Sequence, residues 1–195
     1  MSGFGRTGEW FGFDHWNVVP DIVTMAKGLT SGYAPLGAIA MRKEIAQAFN
    51  DKIYQGGLTY NGHAVSLTAA FSVINVMKED KLVEKTREKG KLLKTLMQEM
   101  YEKHPCVGEI RSIGLFGVLE LVKSRATREP LSPFNQNNEV MLKFRNYCLE
   151  KGLYIHIHWH KVLIIPPLII TEEQLQDGFR IIDEALKITD AAAQN

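Results

Sequence analysis

Asp21-Ile22-Val23-Thr24-Met25-Ala26-Lys27-Gly28-Leu29-Thr30-Ser31-Gly32-Tyr33-Ala34-Pro35-Leu36-Gly37-Ala38 reads as a strand, a turn-rich loop and the entry to a second strand. The apolar run Ile22 to Ala26 is expected to be buried, and it delivers a single lysine directly before a glycine. An ammonium at the mouth of a buried strand either reaches out to water or is held where its neutral, nucleophilic form is favoured. A neutral amine condenses with a carbonyl compound or with pyridoxal phosphate to form a Schiff base. The bland alternative is a solvated charge, the commoner state of a lone lysine.

Outward from Lys27, Leu36 to Met41 is expected as a second apolar strand with a rigid entry at Pro35, followed by a short helix from Arg42 to Phe49. Gly56-Gly57 opens a loop into a helix from about Ala64 to Met77, whose small and apolar residues predict burial on more than one side. Upstream, residues 3 to 8 spell G-x-G-x-x-G, with Asp21 near the distance of a dinucleotide fingerprint's acidic residue. Only two residues precede that motif, so no strand aims the loop, and a Rossmann reading is rejected.

A composition shift from Val76-Met77 to Lys78-Glu79-Asp80-Lys81 divides the chain into parts spanning 1–77 and 78–195. The second part begins with a long amphipathic helix, roughly Asp80 to Lys103, with Leu82, Val83, Leu93, Leu96, Met97 and Met100 on its apolar side. His104-Pro105 ends it. Val107 to Val122 reads as strand, turn, strand with Gly114 and Gly117 at a bend or close approach, and Ser124 to Asn138 reads as loop. A helix from Glu139 to Glu150 ends at Gly152, and two strand segments flank His160-Lys161. Thr171-Glu172-Glu173-Gln174 is a capping box, with Leu175, Phe179, Ile182 and Leu186 at helical spacing behind it. Residues 189 to 195 are expected to fray.

Met1-Ser2-Gly3-Phe4-Gly5-Arg6-Thr7-Gly8-Glu9-Trp10-Phe11, His15, Pro20-Asp21-Ile22, Ala26-Lys27-Gly28-Leu29 and Pro35-Leu36-Gly37-Ala38 together resemble the signature of class III (omega-type) pyridoxal-phosphate aminotransferases, taurine–pyruvate-like members above all. Gly57-Leu58-Thr59-Tyr60-Asn61-Gly62-His63 and Pro166-Pro167-Leu168-Ile169-Ile170-Thr171 extend the resemblance over essentially the whole chain. It implies an α/β architecture of fold type I: an incomplete large cofactor-binding domain (1–77) and a small α+β C-terminal domain (78–195). It implies that Lys27 carries pyridoxal 5'-phosphate as a Schiff base. It also implies that Thr59, with the backbone of Leu58, reaches the cofactor phosphate of a neighbouring subunit, and hence a homodimer with shared sites. Read by itself, Thr59 is either a phosphate contact near a helix N-terminus or that helix's N-cap.

The same resemblance marks departures. The aspartate that pairs with the pyridine nitrogen, the phosphate loop and the ring-stacking aromatic all fall upstream of Met1, so the chain is expected to be the C-terminal half of such an enzyme. Many relatives place a substrate-binding arginine near His158, and no arginine stands there. His158, Trp159 and Arg6 are the candidate substrate contacts. His156, His158 and His160 alternate along one strand and so share a face, which is how a strand offers imidazoles to zinc; with no acidic or further cysteine ligand nearby, no metal centre is assigned. Trp10, Trp16 and Trp159 are read as pocket or core.

The expected function is transfer of an amino group from an amine or omega-amino acid to a keto acid such as pyruvate. The rival is a catalytically inactive truncated module that only self-associates or binds partners. A cofactor-free lysine Schiff-base enzyme would need further catalytic groups beside Lys27, and none is read. The formal charge of +1 supplies no broad field for nucleic acid, and no apolar run reaches a membrane span. Cys106 and Cys148 lack metal or redox spacing and fit a reducing compartment, so a cytoplasmic protein is expected.

Overall fold

The computed structural model describes residues 2–136 and 138–193, which divide into two units, Met1–Glu84 and Lys85–Asn195. In the first unit, β1 (Ile22–Met25) pairs antiparallel with β2 (Ala38–Met41), with Ile22 opposite Met41 and Met25 opposite Ala38. A 3-10 turn, Gly12–Trp16, precedes this hairpin, a second one, Lys27–Leu29, lies inside it, and α1 (Lys43–Gln47) and α2 (Ala64–Glu79) follow.

Two expectations for this unit are corrected. The β1 strand is not buried: Ile22 is 52% exposed and Thr24 is exposed too. The reason is that β1 lies in a two-stranded sheet with no third strand among the described residues. Nor is α2 buried on several sides. Ser66, Ala70 and Met77 are buried, while Val65, Leu67, Phe71 and Val76 face outward.

α3 (Leu82–Lys103) crosses the division between the units. In the second unit, β3 (Val107–Ile113), β4 (Phe116–Ser124), β6 (His156–His158) and β7 (Lys161–Ile164) form an antiparallel sheet in the order β3-β4-β7-β6. The short β5 (Glu129–Pro130) adds to β4, inside the segment expected as loop. Register places Ile110, Leu119, Val162 and Ile157 in one row across the sheet, and Glu109, Glu120, Lys161 and His158 in the next.

Because neighbouring rows face opposite ways, the first row joins the core and the second faces outward. Leu93 and Met97 of α3, Met141 and Phe144 of α4 (Glu139–Glu150) and Phe179 and Leu186 of α5 (Glu172–Asp190) pack into the same core. Burying such side chains contributes about 1.5–3 kcal/mol each, so this unit holds an apolar core of its own.

Both late helices start where expected. Asn138 accepts from the Met141 amide at 2.9 Å, and Thr171 and Gln174 cap each other's amides at 3.1 and 3.0 Å. The C-terminus of α5 does not fray. Thr189 is fully buried, and Asp190 Oδ1 accepts from the Cys106 amide at 3.1 Å. Ala192 and Ala193 pack against the core as well; Gln194 and Asn195, also expected to fray, lie outside the described residues. Cys106 and Cys148 are free and buried. Among the described residues no helix is long and apolar enough to cross a membrane.

Candidate functional site

Lys27 stands two residues beyond β1. Ala26 is still extended, and Lys27 then adopts φ +53, in the left-handed region that ordinary side chains seldom occupy. This reversal starts the 3-10 turn: the Leu29 amide donates to Ala26 O and the Thr30 amide to Lys27 O, each at 3.2 Å. Buried Thr30 ties the loop down by donating to Ala34 O at 2.6 Å. Strained backbone held by surrounding structure is a feature of functional sites. The Lys27 side chain is exposed, so the described residues leave its amine open to solvent.

The floor of this turn is aromatic. Phe4, buried and itself at φ +53, packs against Gly28. Its ring meets Phe11 edge-on at 5.5 Å, and Phe11 stacks on Phe13 at 5.3 Å. Arg6 is half-buried in the same glycine-rich loop, and burial pushes its guanidinium below the ordinary value. α2 packs against the Lys27–Leu29 turn.

Thr59 is exposed in the turn that leads into α2. The Asn61 amide donates to Leu58 O at 2.9 Å and the His63 amide to Tyr60 O at 3.2 Å. The N-cap of α2 is His63, whose side chain makes no capping bond. Thr59 is therefore not the N-cap, and its hydroxyl is accessible.

In the second unit, His156 and His158 are exposed on β6, whereas Ile155 and Ile157 are buried. His160 is not the third member of that face: it lies in the turn beyond the strand, half-buried, and its backbone carbonyl accepts from the Leu121 amide at 2.8 Å. Desolvation pushes its imidazole below the ordinary value. Trp159 makes the turn at φ +58, stacks on His158 at 4.0 Å and meets Phe134 at 4.2 Å. Among the described residues no group of three His, Cys, Asp or Glu is arranged to hold a metal. Trp16 is 67% exposed and Trp10 half-buried, so neither is a fully buried core residue.

One polar cluster goes unread in the sequence. His104, expected only to end a helix, is 2% exposed, with its Nδ1 2.6 Å from Asp190 and its Nε2 2.6 Å from Asp183. Lys103 also pairs with Asp183, and Arg125 donates to the carbonyls of Tyr101, His104 and Val107 while covering the Tyr101 ring. The available signal was the seven-residue spacing of Asp183 and Asp190, two helical turns on one face of α5.

Residues 1–186 match the family described as aminotransferase class-III. Putrescine–pyruvate aminotransferase of Pseudomonas aeruginosa is 38% identical over 195 residues, covering 98% of this chain and 41% of that protein. Taurine–pyruvate aminotransferase of Bilophila wadsworthia is 35% identical over 193 residues, 95% of this chain and 42% of that protein. The crystal structure of taurine:2-oxoglutarate aminotransferase from Bifidobacterium kashiwanohense, in complex with PLP and glutamate, superposes with a TM-score of 0.94 at 39% identity, covering 100% of this chain and 44% of that one. The chain thus spans about two fifths of the length of these relatives.

Proposed function

Because this chain belongs to the aminotransferase class-III family, a family of pyridoxal-phosphate enzymes, we propose that it provides the reactive lysine of a transaminase. The reaction moves an amino group from an amine or omega-amino acid to a keto acid such as pyruvate. The observation that carries this reading is the strained, exposed Lys27 at the end of β1, backed by the glycine that Phe4 packs against.

The residues present fit part of the cofactor. Lys27 offers an open primary amine, the Gly28 position is narrowed by Phe4 where any Cβ would intrude, and Thr59 offers an exposed hydroxyl. Bound pyridoxal phosphate supplies a carbonyl carbon for amines and a ring that withdraws electrons from the substrate carbon. Lys27 Nζ is the nucleophile and, when free, the base that takes the proton from the amino-bearing carbon. Thr59 Oγ1 would donate to a phosphate oxygen of the bound cofactor, in a homodimer to that of the neighbouring subunit. His158, Trp159 and Arg6 are the candidates for contact with the acidic group of a substrate; an imidazole binds a carboxylate less firmly than the bidentate guanidinium of arginine. The free, buried cysteines favour a reducing compartment, so the reaction is assigned to the cytoplasm.

The test is a titration with pyridoxal phosphate followed by absorbance. The yellow absorbance of a lysine adduct is expected to be weak in the parent protein and lost altogether in Lys27→Ala. Equal absorbance in the two would overturn the assignment.

A second reading is supported by exposed apolar side chains in the first unit. Ile53, Leu58, Tyr60, Val65 and Phe71 are each more than two-thirds exposed, an arrangement suited to a covered interface. On this reading the chain is a self-associating module without transaminase activity. Light scattering together with an alanine-consumption assay separates the two: an active protein excludes the module, and an inactive oligomer favours it.

A further inference from the structure

The outward face of β6 pairs His158, a candidate substrate contact in the transaminase reading, with His156, which that reading does not use. Ile155 and Ile157 are buried and lock the strand's register, so His156 and His158 are forced onto the same outer face, two residues apart. Their rings are nearly parallel, 22° apart, with centroids 6.5 Å from one another. His158 is held by the Trp159 ring stacked on it at 4.0 Å with a 26° tilt, and Trp159 is braced in turn by Phe134. Across the ladder, Leu163 faces His156 and Lys161 faces His158. The two carboxylates in the same row, Glu109 and Glu120, are paired with Arg128 and Arg111.

We infer that His156 and His158 form a two-imidazole chelate for a borderline divalent transition ion, Cu2+ or Ni2+ in preference to Zn2+, on the outer face of this sheet. Neutral imidazole nitrogens bind these ions at about 2.0–2.1 Å. Two rings on one ion in a cis arrangement stand about 1–2 Å closer than these do, and side-chain rotation at exposed His156 closes that gap while His158 stays on Trp159. Divalent affinity at nitrogen ligands rises to a maximum at copper. Mg2+ and Ca2+ require oxygen ligands, and the carboxylates of this row, Glu109 and Glu120, are taken up by arginine pairs. Lys161 is the cation opposite His158; its charge opposes binding without supplying or blocking a ligand position. The remaining coordination positions are left to water, making this a surface chelate and not a closed structural centre.

Trp159 supplies the readout, since a paramagnetic ion on His158 lies against its ring and quenches its emission, and Trp159→Phe separates this signal from that of Trp10 and Trp16. The experiment titrates the full chain with CuCl2 and NiCl2 at neutral pH in a non-chelating buffer, following heat and tryptophan emission. One ion per chain is expected, with copper tighter than nickel and with quenching abolished in Trp159→Phe. His156→Ala is expected to weaken binding by about tenfold or more through loss of the chelate. That variant leaves the His158–Trp159 stack in place, and an unchanged melting curve excludes unfolding as the cause. His63→Ala, an exposed histidine elsewhere, is expected to bind as the parent does. Copper binding of parent strength in His156→Ala, or equal binding of MgCl2, would overturn the inference. Neither result bears on Lys27, so it stands or falls separately from the transaminase reading.

Discussion

Phe4 and Gly28 approach so closely that a methyl group on the glycine would stand 2.9 Å from the Phe4 Cβ. The residue after Lys27 must therefore lack a side chain for the glycine-rich loop to seat against the turn. Gly28→Ala is expected to destabilise the protein by about 1–3 kcal/mol, the cost of overpacking a filled site. Chemical denaturation measures this, and reductive labelling of Lys27 reports whether the turn has moved. Gly57→Ala is the control, because nothing lies within 4 Å of the corresponding position.

Gly90 offers a case where two effects oppose. Alanine is favoured over glycine inside a helix by about 1 kcal/mol, yet a Cβ at Gly90 would stand 2.7 Å from the Gly114 Cα, in backbone that cannot rotate away. Overpacking of about 1–3 kcal/mol wins. Gly90→Ala is expected to lower the melting temperature, and a rise would show that the β3–β4 turn yields to α3.

The His104 cluster makes stability depend on acid. Burial would raise the Asp183 carboxyl, but the hydrogen bonds from Lys103 and His104 outweigh it, and the group sits below its ordinary value. A carboxyl lowered by folding contributes stability that is complete above its unfolded value, near pH 4, and is lost as pH falls through the folded value. Urea unfolding is expected to show this loss in the parent and a smaller one in Asp183→Asn. Equal acid sensitivity would remove Asp183 as a source.

Thr59→Ala is expected to weaken retention of pyridoxal phosphate by about 1.5–3 kcal/mol, one hydrogen bond to a charged group, without abolishing the lysine adduct. Equilibrium dialysis measures the change. Retention equal to that of the parent would exclude Thr59 from phosphate binding.

Much of this protein was legible from local pattern. Lys27 at the end of an apolar run, the capping box at Thr171, the helix from Glu139 to Glu150 and the Val107–Val122 hairpin depend on residues a few positions apart, where spacing encodes geometry directly. Strand alternation likewise placed His156 and His158 on one face, although His160, expected with them, lies in the turn beyond the strand. Family membership was carried by motifs distributed along the whole chain.

Other features were decided only by the tertiary structure, because they join positions remote in sequence. Hydrophobicity marked β1 as a buried strand, but burial requires a covering layer, and the described residues supply only β2. Read by itself, Thr59 left a phosphate contact and an N-cap both open, and the chain path gave the cap to His63. The expected fraying of α5 was overturned by His104 and Cys106, which hold Asp190 across more than eighty residues of chain. Composition and periodicity report what a segment prefers; which distant group satisfies its charges, caps and apolar faces is a property of the packed chain.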